Sequence, residues 1–413
     1  MKKFVFLTST FYPMPDASGV CVKNAADELI RRGFNVSVLC EGNGQTESVN
    51  GINVIHIENT ISKRLCAYAE NRNSAFSRLI YRIFLLLRRV MLGIVSPFLF
   101  PNVSPFRTRA VYKRLEKLYA DETFDYVIGA FRPYENVEAV NKFKKKHPEV
   151  KSEIVYLDLI EDKNPFGKRF KNYFDKLCEK SKRNTFGIND VILIPQSSKE
   201  KYQESVYKFA KEKIRFFDFP LFTLKESVAK KTEKSGMINI VYAGSADGEN
   251  RSPEYFLRLV DKVKEKYSMD ICVKFYGRIT DRKVRENFAN KTYVQFCGMI
   301  PPDEVEQTLS KADFLLNLSN RITYNMVPSK IFQLFSLCLP IINMVTNSED
   351  VSVEYFKKYP DVLNIFEFMG DFENDAELLR NFINDSGRKD IDFECIRQKF
   401  LDNTPESFAN III

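Results

Sequence analysis

The residues best suited to chemistry lie in the stretch 325–333, Asn-Met-Val-Pro-Ser-Lys-Ile-Phe-Gln. Pro328 and Ser329 predict that a helix begins here, because proline favours the first helical position and serine favours the N-cap. Lys330 then falls in the first turn, beside backbone N–H groups that have no partner within the helix. Such a turn favours an anion, for example a diphosphate. An ordinary capped helix explains the same residues equally well.

Two further loops carry residues that suit a phosphate group. The loop 244–251, Gly-Ser-Ala-Asp-Gly-Glu-Asn-Arg, follows a predicted strand; its glycines permit a cradling turn, and Arg251 offers a fork of donors. In the loop 8–19, Gly19 would let the backbone approach a ligand where the next helix begins. Neither loop is specific alone. The chain contains no G-x-G-x-x-G fingerprint and no Walker loop, which argues against a nicotinamide enzyme or an ATPase.

One carboxylate is a candidate for contact with an acceptor substrate. Asp158 follows the predicted strand 153–157, where it could orient an acceptor hydroxyl, although a helix cap or a salt bridge explains it as well. The chain has only two histidines, which disfavours a histidine-based triad or a zinc site, and no metal ligands are predicted. Chemistry here must use carboxylates, lysines, arginines and backbone groups.

Alternating strand-like and helical patterns must position these residues. In the first half the predicted strands are 3–7, 35–40, 53–57, 126–129, 153–157, 191–195 and 214–217; in the second half they are 239–243, 271–276, 294–296, 313–317 and 341–343. Such alternation predicts an α/β protein with two Rossmann-like, doubly wound parallel sheets, whose carboxyl ends should face each other across a cleft. We expect an N-terminal domain at 1–224, a lysine-rich linker at 225–236, a C-terminal domain at 237–394, and a tail or helix at 395–413 that could pack back on the N-terminal domain.

Composition agrees with two domains in a reducing compartment. The chain has 413 residues, 44% of them hydrophobic, which is enough for two cores. Its eight cysteines show no C-x-x-C or other metal-like spacing, which favours free thiols. Met1 leads almost directly into a predicted strand, so no secretory signal is expected and we predict a cytoplasmic protein.

The positive charge is concentrated in one segment. Residues 74–117 contain nine lysines and arginines and one acid, Glu116, a net charge of +8 that equals the formal charge of the whole chain. Aliphatic residues separate the arginines, and three prolines interrupt the apolar run, so the segment suits an amphipathic element on an anionic membrane surface better than a bilayer span. A core helix with a solvated basic face is the alternative. Nucleic acid is a weaker match because the intervening residues are aliphatic.

Taken in order along the chain, these motifs resemble GT-B glycosyltransferases, specifically the group 1 (family 4) retaining class. The motifs are Phe11-Tyr-Pro13 with Gly19, the helix-to-strand turn at 29–36, Val241-Tyr-Ala-Gly244-Ser, Phe275-Tyr-Gly277, Val294-Gln-Phe-Cys-Gly298, Ala312-Asp-Phe-Leu315 and Val327-Pro-Ser-Lys330-Ile-Phe-Gln333. The resemblance spans nearly the whole chain. Bacterial relatives that build capsule, exopolysaccharide or lipopolysaccharide often carry the Pro-Ser-Lys form of the last motif.

The resemblance implies a hexosyltransferase that needs neither metal nor cofactor, with a nucleotide-diphosphate sugar as donor substrate and a glycan as acceptor. Arg251 takes the place of the basic residue that binds the donor diphosphate, and Ser245 that of the second basic residue. Gly19, Gly244, Ser329 and Lys330 would face the phosphates, and Phe296, Gly298 and Met299 would lie near the base. The basic segment would suit a lipid-linked acceptor at the inner face of the cell membrane; no nucleic acid partner is expected.

One departure from the resemblance concerns the reacting groups. The class carries Glu-x7-Glu, whereas the matching positions here are Asn325 and Gln333. The second glutamate normally holds the ribose hydroxyls, and an amide can do so at about 1 kcal/mol instead of roughly 1.5–3. The first normally contacts the donor sugar near the reacting carbon. A catalytically inactive GT-B scaffold of a polysaccharide-assembly complex is therefore the main alternative, and a nucleotide-sugar epimerase is a further one.

Overall fold

The structure is a computed structural model that describes residues 1–13, 15–42, 44–58, 75–157, 169–223, 236–324, 327–386 and 391–413. The chain forms two compact units. Unit 1 comprises Met1–Pro220 together with Asp402–Ile413, and unit 2 comprises Leu221–Leu401. Each unit is built around its own sheet.

Unit 1 contains a sheet of eight strands. The strands are β1 Lys3–Leu7, β2 Asn35–Gly42, β3 Thr46–Val49, β4 Ile52–Glu58, β5 Tyr126–Phe131, β6 Lys151–Tyr156, β7 Val191–Pro195 and β8 Ile214–Phe217. Their order in the sheet is β3-β4-β2-β1-β5-β6-β7-β8, and all neighbouring pairs are parallel except β3 with β4. The inner strands are continuous apolar runs, because a parallel sheet is covered on both faces; every residue of β5 is buried.

The helices of unit 1 cover this sheet, with one exception. They are α1 Ala17–Arg31, α2 Ala75–Leu99, α3 Pro105–Asp121, α4 Tyr134–Lys146, α5 Lys171–Ile188, the short α6 Lys199–Tyr202, and α14 Pro405–Ile412 at the carboxyl end of the chain. Buried side chains of α3, α4 and α5 pack with the strands in one core cluster. The exception is α2, whose apolar side chains are largely exposed. In the part of the chain that the structure describes, no helix is long and apolar enough to cross a bilayer.

Unit 2 contains a parallel sheet of six strands. The strands are β9 Ile238–Ala243, β10 Ile271–Tyr276, β11 Val294–Gly298, β12 Phe314–Leu318, β13 Ile341–Val345 and β14 Val362–Phe366. The helices are α7 Glu254–Tyr267, α8 Arg282–Phe288, α9 Pro302–Leu309, α10 Lys330–Ser336, α11 Val353–Phe356, α12 Phe372–Asp385 and α13 Phe393–Lys399. Two hydrophobic clusters, one containing α7 and α12 and the other containing α10, pack against the sheet.

The strand order of unit 2 decides where a ligand can bind. The order is β11-β10-β9-β12-β13-β14, so the chain winds outward from β9 in one direction and from β12 in the other. Loops leaving β9 and β12 therefore diverge to opposite faces and leave a crevice at the carboxyl ends of these strands. The loop after β9 carries Gly244 and Arg251, and the connection after β12 leads to Lys330.

The predicted fold class, with two doubly wound parallel sheets, is confirmed. Two strands were missed: β3, which is short and polar, and β14, which lies at the edge of the second sheet. Residues 224–235, most of the predicted linker, lie outside the described residues. The seven cysteines within the described residues are all free thiols.

Candidate anion-binding site

The floor of the candidate site is made by glycines at the ends of three neighbouring strands. The N–H of Gly244 donates to the carbonyl of Tyr276 at 2.7 Å, and the N–H of Gly277 donates to the carbonyl of Gly298 at 2.6 Å. A Cβ on Gly277 would lie 2.1 Å from the carbonyl oxygen of Gly244, and the φ of Gly277 is +121°. Only glycine allows the two backbones to approach this closely.

The amine of Lys330 lies directly over this floor. Its Nζ donates to the carbonyl of Ala243 at 3.4 Å and sits 5.4 Å from the centre of the Tyr242 ring. A Cβ on Gly244 would come within 2.0 Å of the amine, so the glycine leaves the space that the lysine fills. Lys330 is 87 residues from Ala243 in the chain, and the switch point of the sheet brings them together.

Arg251 reaches the same place from the loop after β9. Its Nε donates to Oδ1 of Asn320 at 2.8 Å, and the terminal nitrogens of the guanidinium carry four further N–H groups. Arg251 also interacts with the hydroxyl of Tyr242, whose ring carries the Lys330 amine on its face. The two predicted cations therefore share one aromatic side chain as a neighbour.

The loop that presents Arg251 is held by its own backbone and by the loop after β12. Oδ1 of Asp247 accepts the N–H groups of Glu249, Asn250 and Arg251 at 2.8–3.2 Å. These bonds favour the ionised carboxylate: burial acts to raise the pKa of Asp247, but the backbone donors outweigh it and lower the pKa. Oδ1 of Asn250 in turn accepts the N–H of Ile322 at 2.9 Å, which ties the two loops together.

The site has an excess of positive charge. Burial, and then repulsion by the Arg251 guanidinium, lowers the pKa of Lys330 from 10.5 to about 7. Burial also raises the pKa of Tyr242, although Arg251 opposes that rise. Among the described residues, no carboxylate forms an ion pair with the side chain of either Arg251 or Lys330. Two cations held together without a counterion favour a bound anion.

A pocket of about 390 Å³ opens beside the lysine. Its walls are the ends of β9, β10 and β11 with parts of α9 and α10; the lining residues are Ala243, Gly244, Ser245, Tyr276, Gly277, Arg278, Met299, Ile300, Val305 and Lys330. This volume suits a small molecule, because ligand pockets are typically about 300–1,000 Å³. The pocket combines apolar walls with the amine of Lys330 at one edge.

Several residues predicted from the sequence are brought together here. Gly244, Ser245, Met299 and Lys330 line the pocket, and Arg251 adjoins it through Tyr242. Ser245 and Met299 are exposed, so both are open to a ligand. The carbonyl of Gly298 is already an acceptor for a neighbouring backbone N–H.

Phe296, which the resemblance would put near the base, packs beside the core of unit 2. Its ring stacks on Phe275, with 5.5 Å between centroids, and the guanidinium of Arg285 lies 4.5 Å from its centre. It packs partly into the core that covers β10 and is not among the residues that line the pocket. Phe296 is the middle residue of β11, and successive side chains of a strand point to opposite faces, so its ring lies on the face that packs against the core.

The helix of the Pro-Ser-Lys motif begins where the serine indicates and not at the proline. Lys330 is its first residue and Ser329 is the N-cap, but the Ser329 side chain makes no capping hydrogen bond. Pro328 therefore precedes the N-cap, and its carbonyl accepts the N–H of Ile331 at 3.2 Å. Gln333 lies three residues after Lys330 and is half-buried.

The remaining predicted residues lie in unit 1 or outside the described residues. Gly19 is in the first turn of α1, where its N–H donates to Oδ1 of Asp16 at 2.8 Å. A Cβ there would lie 2.1 Å from the carbonyl oxygen of Thr10, so the internal packing of the loop already requires glycine. Asp158 and Asn325 fall outside the described residues, and their roles stay predictions.

Sequence reasoning missed two polar residues of the site, Arg278 and Asn320. Arg278 follows Gly277 on the pocket wall and adds a third basic side chain. Asn320 holds Arg251. A signal for Arg278 was present, because three predicted strands of unit 2 each end within two residues of a glycine, and residues beside such turns are candidates for contact with a ligand. Nothing local marks Asn320.

No protein-family model matches the chain, and no curated protein matches it in sequence. Solved structures do match over its whole length. WaaG, a glycosyltransferase involved in lipopolysaccharide biosynthesis, is 13% identical with a TM-score of 0.57, and the match covers 99% of each chain. The α,α-trehalose 6-phosphate synthase of Burkholderia multivorans is 8% identical with a TM-score of 0.60, covering 99% of this chain and 95% of that one. The catalytic domain of starch synthase IV from Arabidopsis thaliana, bound to ADP and acarbose, is 9% identical with a TM-score of 0.56, covering 99% and 97%.

The fold is GT-B. Two Rossmann-like units with parallel sheets are common to this chain and to these glycosyltransferases. At such low identity the likeness concerns the fold, so the chemistry of this GT-B chain must be argued from its own residues.

Proposed function

We propose that this chain transfers a sugar from a nucleoside-diphosphate donor to a glycan acceptor. The proposal rests on two cations, Lys330 and Arg251, which both neighbour Tyr242 at the switch point of the unit 2 sheet. A pocket of about 390 Å³ lies beside them. Two cations without a carboxylate partner among the described residues suit the two charges of a diphosphate. One structural neighbour of the same fold is bound to ADP, which supports a nucleotide as the occupant.

The cations would act on the leaving group. When the bond between sugar and phosphate breaks, negative charge develops on the departing diphosphate, and donors already aimed at that place lower the barrier. Arg251 can offer N–H groups of its terminal nitrogens, since Asn320 occupies only its Nε. The Lys330 amine provides a compact charge over the glycine floor. We expect transfer with retention of configuration and without a metal, as the resemblance to group 1 enzymes implies.

The acceptor we propose is a lipid-linked glycan at the inner face of the cell membrane. The support is the arginine-rich helix α2, Ala75–Leu99, within the basic segment 74–117; most of its apolar side chains are exposed. One structural neighbour, WaaG, is a glycosyltransferase involved in lipopolysaccharide biosynthesis. An acceptor of this kind would place the product in a cell-surface polysaccharide.

The test measures donor binding and transfer separately. Binding of UDP, ADP and GDP is followed by calorimetry, and transfer by release of nucleoside diphosphate from a panel of nucleotide sugars with membrane extract. We expect Arg251→Ala and Lys330→Ala each to weaken diphosphate binding by about tenfold or more, as loss of a charge-assisted hydrogen bond predicts. The matched control is Arg282→Ala, since Arg282 is exposed and pairs with Glu286 at 2.6 Å in the same unit.

Wild-type affinity in both site variants, or an equal loss in Arg282→Ala, would refute the site. Wild-type protein that binds none of the diphosphates would refute the proposed function.

One observation favours a second candidate function. Gln333 lies one turn after Lys330, at the position where the group 1 glycosyltransferases that this chain resembles carry a glutamate. The site therefore lacks that carboxylate. A GT-B protein that binds nucleotide but serves as a partner in a polysaccharide-assembly complex would explain the change. It predicts diphosphate binding that depends on Lys330, together with no release of nucleotide from any donor.

A further inference from the structure

The helix α2 exposes apolar side chains that the fold leaves uncovered. Ile83 is 50% exposed, Val90 54% and Ile94 65%, and most of their apolar neighbours along the helix are exposed as well. The helix spans 25 residues and enters the buried core only at its carboxyl end, through Ser96 and the following Phe100. A contiguous apolar surface of this extent indicates a site of interaction.

The apolar and basic residues lie on different sides of this helix. With about 100° between successive residues, Ile83, Val90 and Ile94 fall within roughly 40° of one another. Arg82 and Arg89 lie about 100–120° from the centre of that arc on one side, and Arg88 about 140° on the other. The segment Ala75–Leu99 contains no acid. This is the pattern of a helix that lies in a membrane interface, with arginines reaching toward headgroups on both sides.

The apolar surface continues onto the beginning of α5. The hydroxyl of Tyr173 donates a hydrogen bond to the carbonyl of Pro97, so the start of α5 lies against the end of α2. Phe98 and Phe170 are 82% and 68% exposed, and Arg169 and Lys171 flank Phe170 in the chain. The start of α5 therefore also presents an exposed aromatic residue between basic ones, so the exposed apolar surface includes residues from two helices.

The charges of this surface distinguish between two possible occupants. A second copy of α2 would bring arginines of one sign against each other with no acid in either helix to pair with them. An anionic bilayer surface meets both requirements, because its headgroups attract the arginines and its acyl region accepts the apolar arc.

We propose that α2, including Phe98 and extended by Phe170, lies flat on an anionic phospholipid bilayer with Ile83, Val90 and Ile94 inserted and Arg82, Arg88 and Arg89 at the headgroups. The helix is about 37 Å long, so it anchors unit 1 along a line and not at a point. This surface is separate from the anion-binding site of unit 2, and its test is independent of the proposed transferase activity.

The test is co-sedimentation of the full chain with phosphatidylcholine vesicles, with and without phosphatidylglycerol. Wild-type protein should bind the anionic vesicles, and added salt should release it. Val90→Glu should weaken binding by about tenfold or more, since it puts a carboxylate in the acyl region. The matched control is Leu85→Glu, on the same exposed helix but about 160° from the centre of the apolar arc, which should bind markedly better than Val90→Glu. Each of Arg82→Gln and Arg89→Gln should weaken binding by about fivefold.

Both carboxylate variants should keep the fold, because the two side chains they replace are exposed, and circular dichroism checks this. Equal binding by Val90→Glu and Leu85→Glu would overturn the proposed orientation. Binding to neutral vesicles as tight as to anionic ones would overturn the role of the arginines. Absence of vesicle binding by wild type, together with a dimer in sedimentation that Val90→Glu dissociates, would assign the surface to a second copy instead.

Discussion

Replacing Lys330 with methionine should make the protein more stable and at the same time weaken its binding of a diphosphate by about tenfold or more. Methionine has nearly the length of lysine and would fill the space over Gly244 and against the Tyr242 ring. The lysine amine makes only a long hydrogen bond there, 3.4 Å to the carbonyl of Ala243, and stands beside a second cation. A partly buried charge without an ion-pair partner lowers the stability of the folded chain as long as no anion is bound.

The size of the effect follows from the pKa of Lys330. Burial and Arg251 lower the pKa from 10.5 to about 7, so the folded chain binds this proton more weakly than the unfolded chain. The stability cost is full below pH 7, shrinks as the pH rises from 7 to 10.5, and is absent above that range. At about 1.4 kcal/mol for each pH unit the ceiling is about 5 kcal/mol. Because the side chain is only half-buried, we expect Lys330→Met to gain about 1–3 kcal/mol near pH 6.

The assay is thermal unfolding of wild type and Lys330→Met at about pH 6 and about pH 10, each with and without UDP or ADP. The melting temperature of the variant should be higher by about 2–8 °C at the lower pH and nearly unchanged at the higher one. Nucleoside diphosphate should raise the melting temperature of wild type more than that of the variant.

The matched control is Lys182→Met in unit 1. Lys182 is also buried, but it pairs with Glu179 and donates to the hydroxyl of Tyr207 at 2.8 Å. Methionine there would remove the cation that pairs with Glu179, although the Tyr207 hydroxyl would still donate to Glu179 at 2.7 Å, and should lower the stability. If Lys330→Met were destabilised near pH 6 as Lys182→Met is, or if it still bound diphosphate like wild type, Lys330 would be structural and the site would be wrong.

Three further changes test the remaining geometry. Asn320→Ala should weaken diphosphate binding by about five- to tenfold by freeing the Arg251 guanidinium, and should add no loss in an Arg251→Ala background. Glu153→Gln should stabilise the protein above pH 7, by at most about 3 kcal/mol, because burial raises the pKa of this fully buried carboxyl to about 7; thermal melts should show that gain vanish near pH 4. Gly277→Ala should cost about 2–4 kcal/mol in urea unfolding, since its Cβ would meet a backbone oxygen at 2.1 Å, whereas Gly298→Ala, which meets no atom within 4 Å, should cost about 1 kcal/mol.

Each of these has a result that contradicts it. An additional loss for Asn320→Ala in the Arg251→Ala background would show that Asn320 acts independently of the arginine. A gain for Glu153→Gln that is the same at every pH would exclude the buried charge as its cause. Equal costs at Gly277 and Gly298 would mean that the close approach of the two loops is not what requires glycine.

The amino-acid sequence by itself determined the fold class and the two cations of the site. Period-two and continuous apolar runs separated by helical patterns are local signals, and they correctly predicted most strands of both sheets. Arg251 and Lys330 were identifiable because each lies at a turn that local residue types mark. The segment 74–117 was recognisable from its charge alone.

Tertiary structure decided what these residues touch. The meeting of Gly244 with Gly277, and of Arg251 with Asn320, joins loops that are far apart in the chain, so no local pattern encodes either contact. The resemblance implied that Phe296 lies near the base, and the packing against Phe275 and Arg285 puts its ring beside the core. Strands β3 and β14 form because the neighbouring strands β4 and β13 supply their hydrogen bonds. The residues of such short edge strands do not predict a strand by themselves. The exposure of α2 likewise depends on what the rest of unit 1 leaves uncovered, and only the folded chain reveals it.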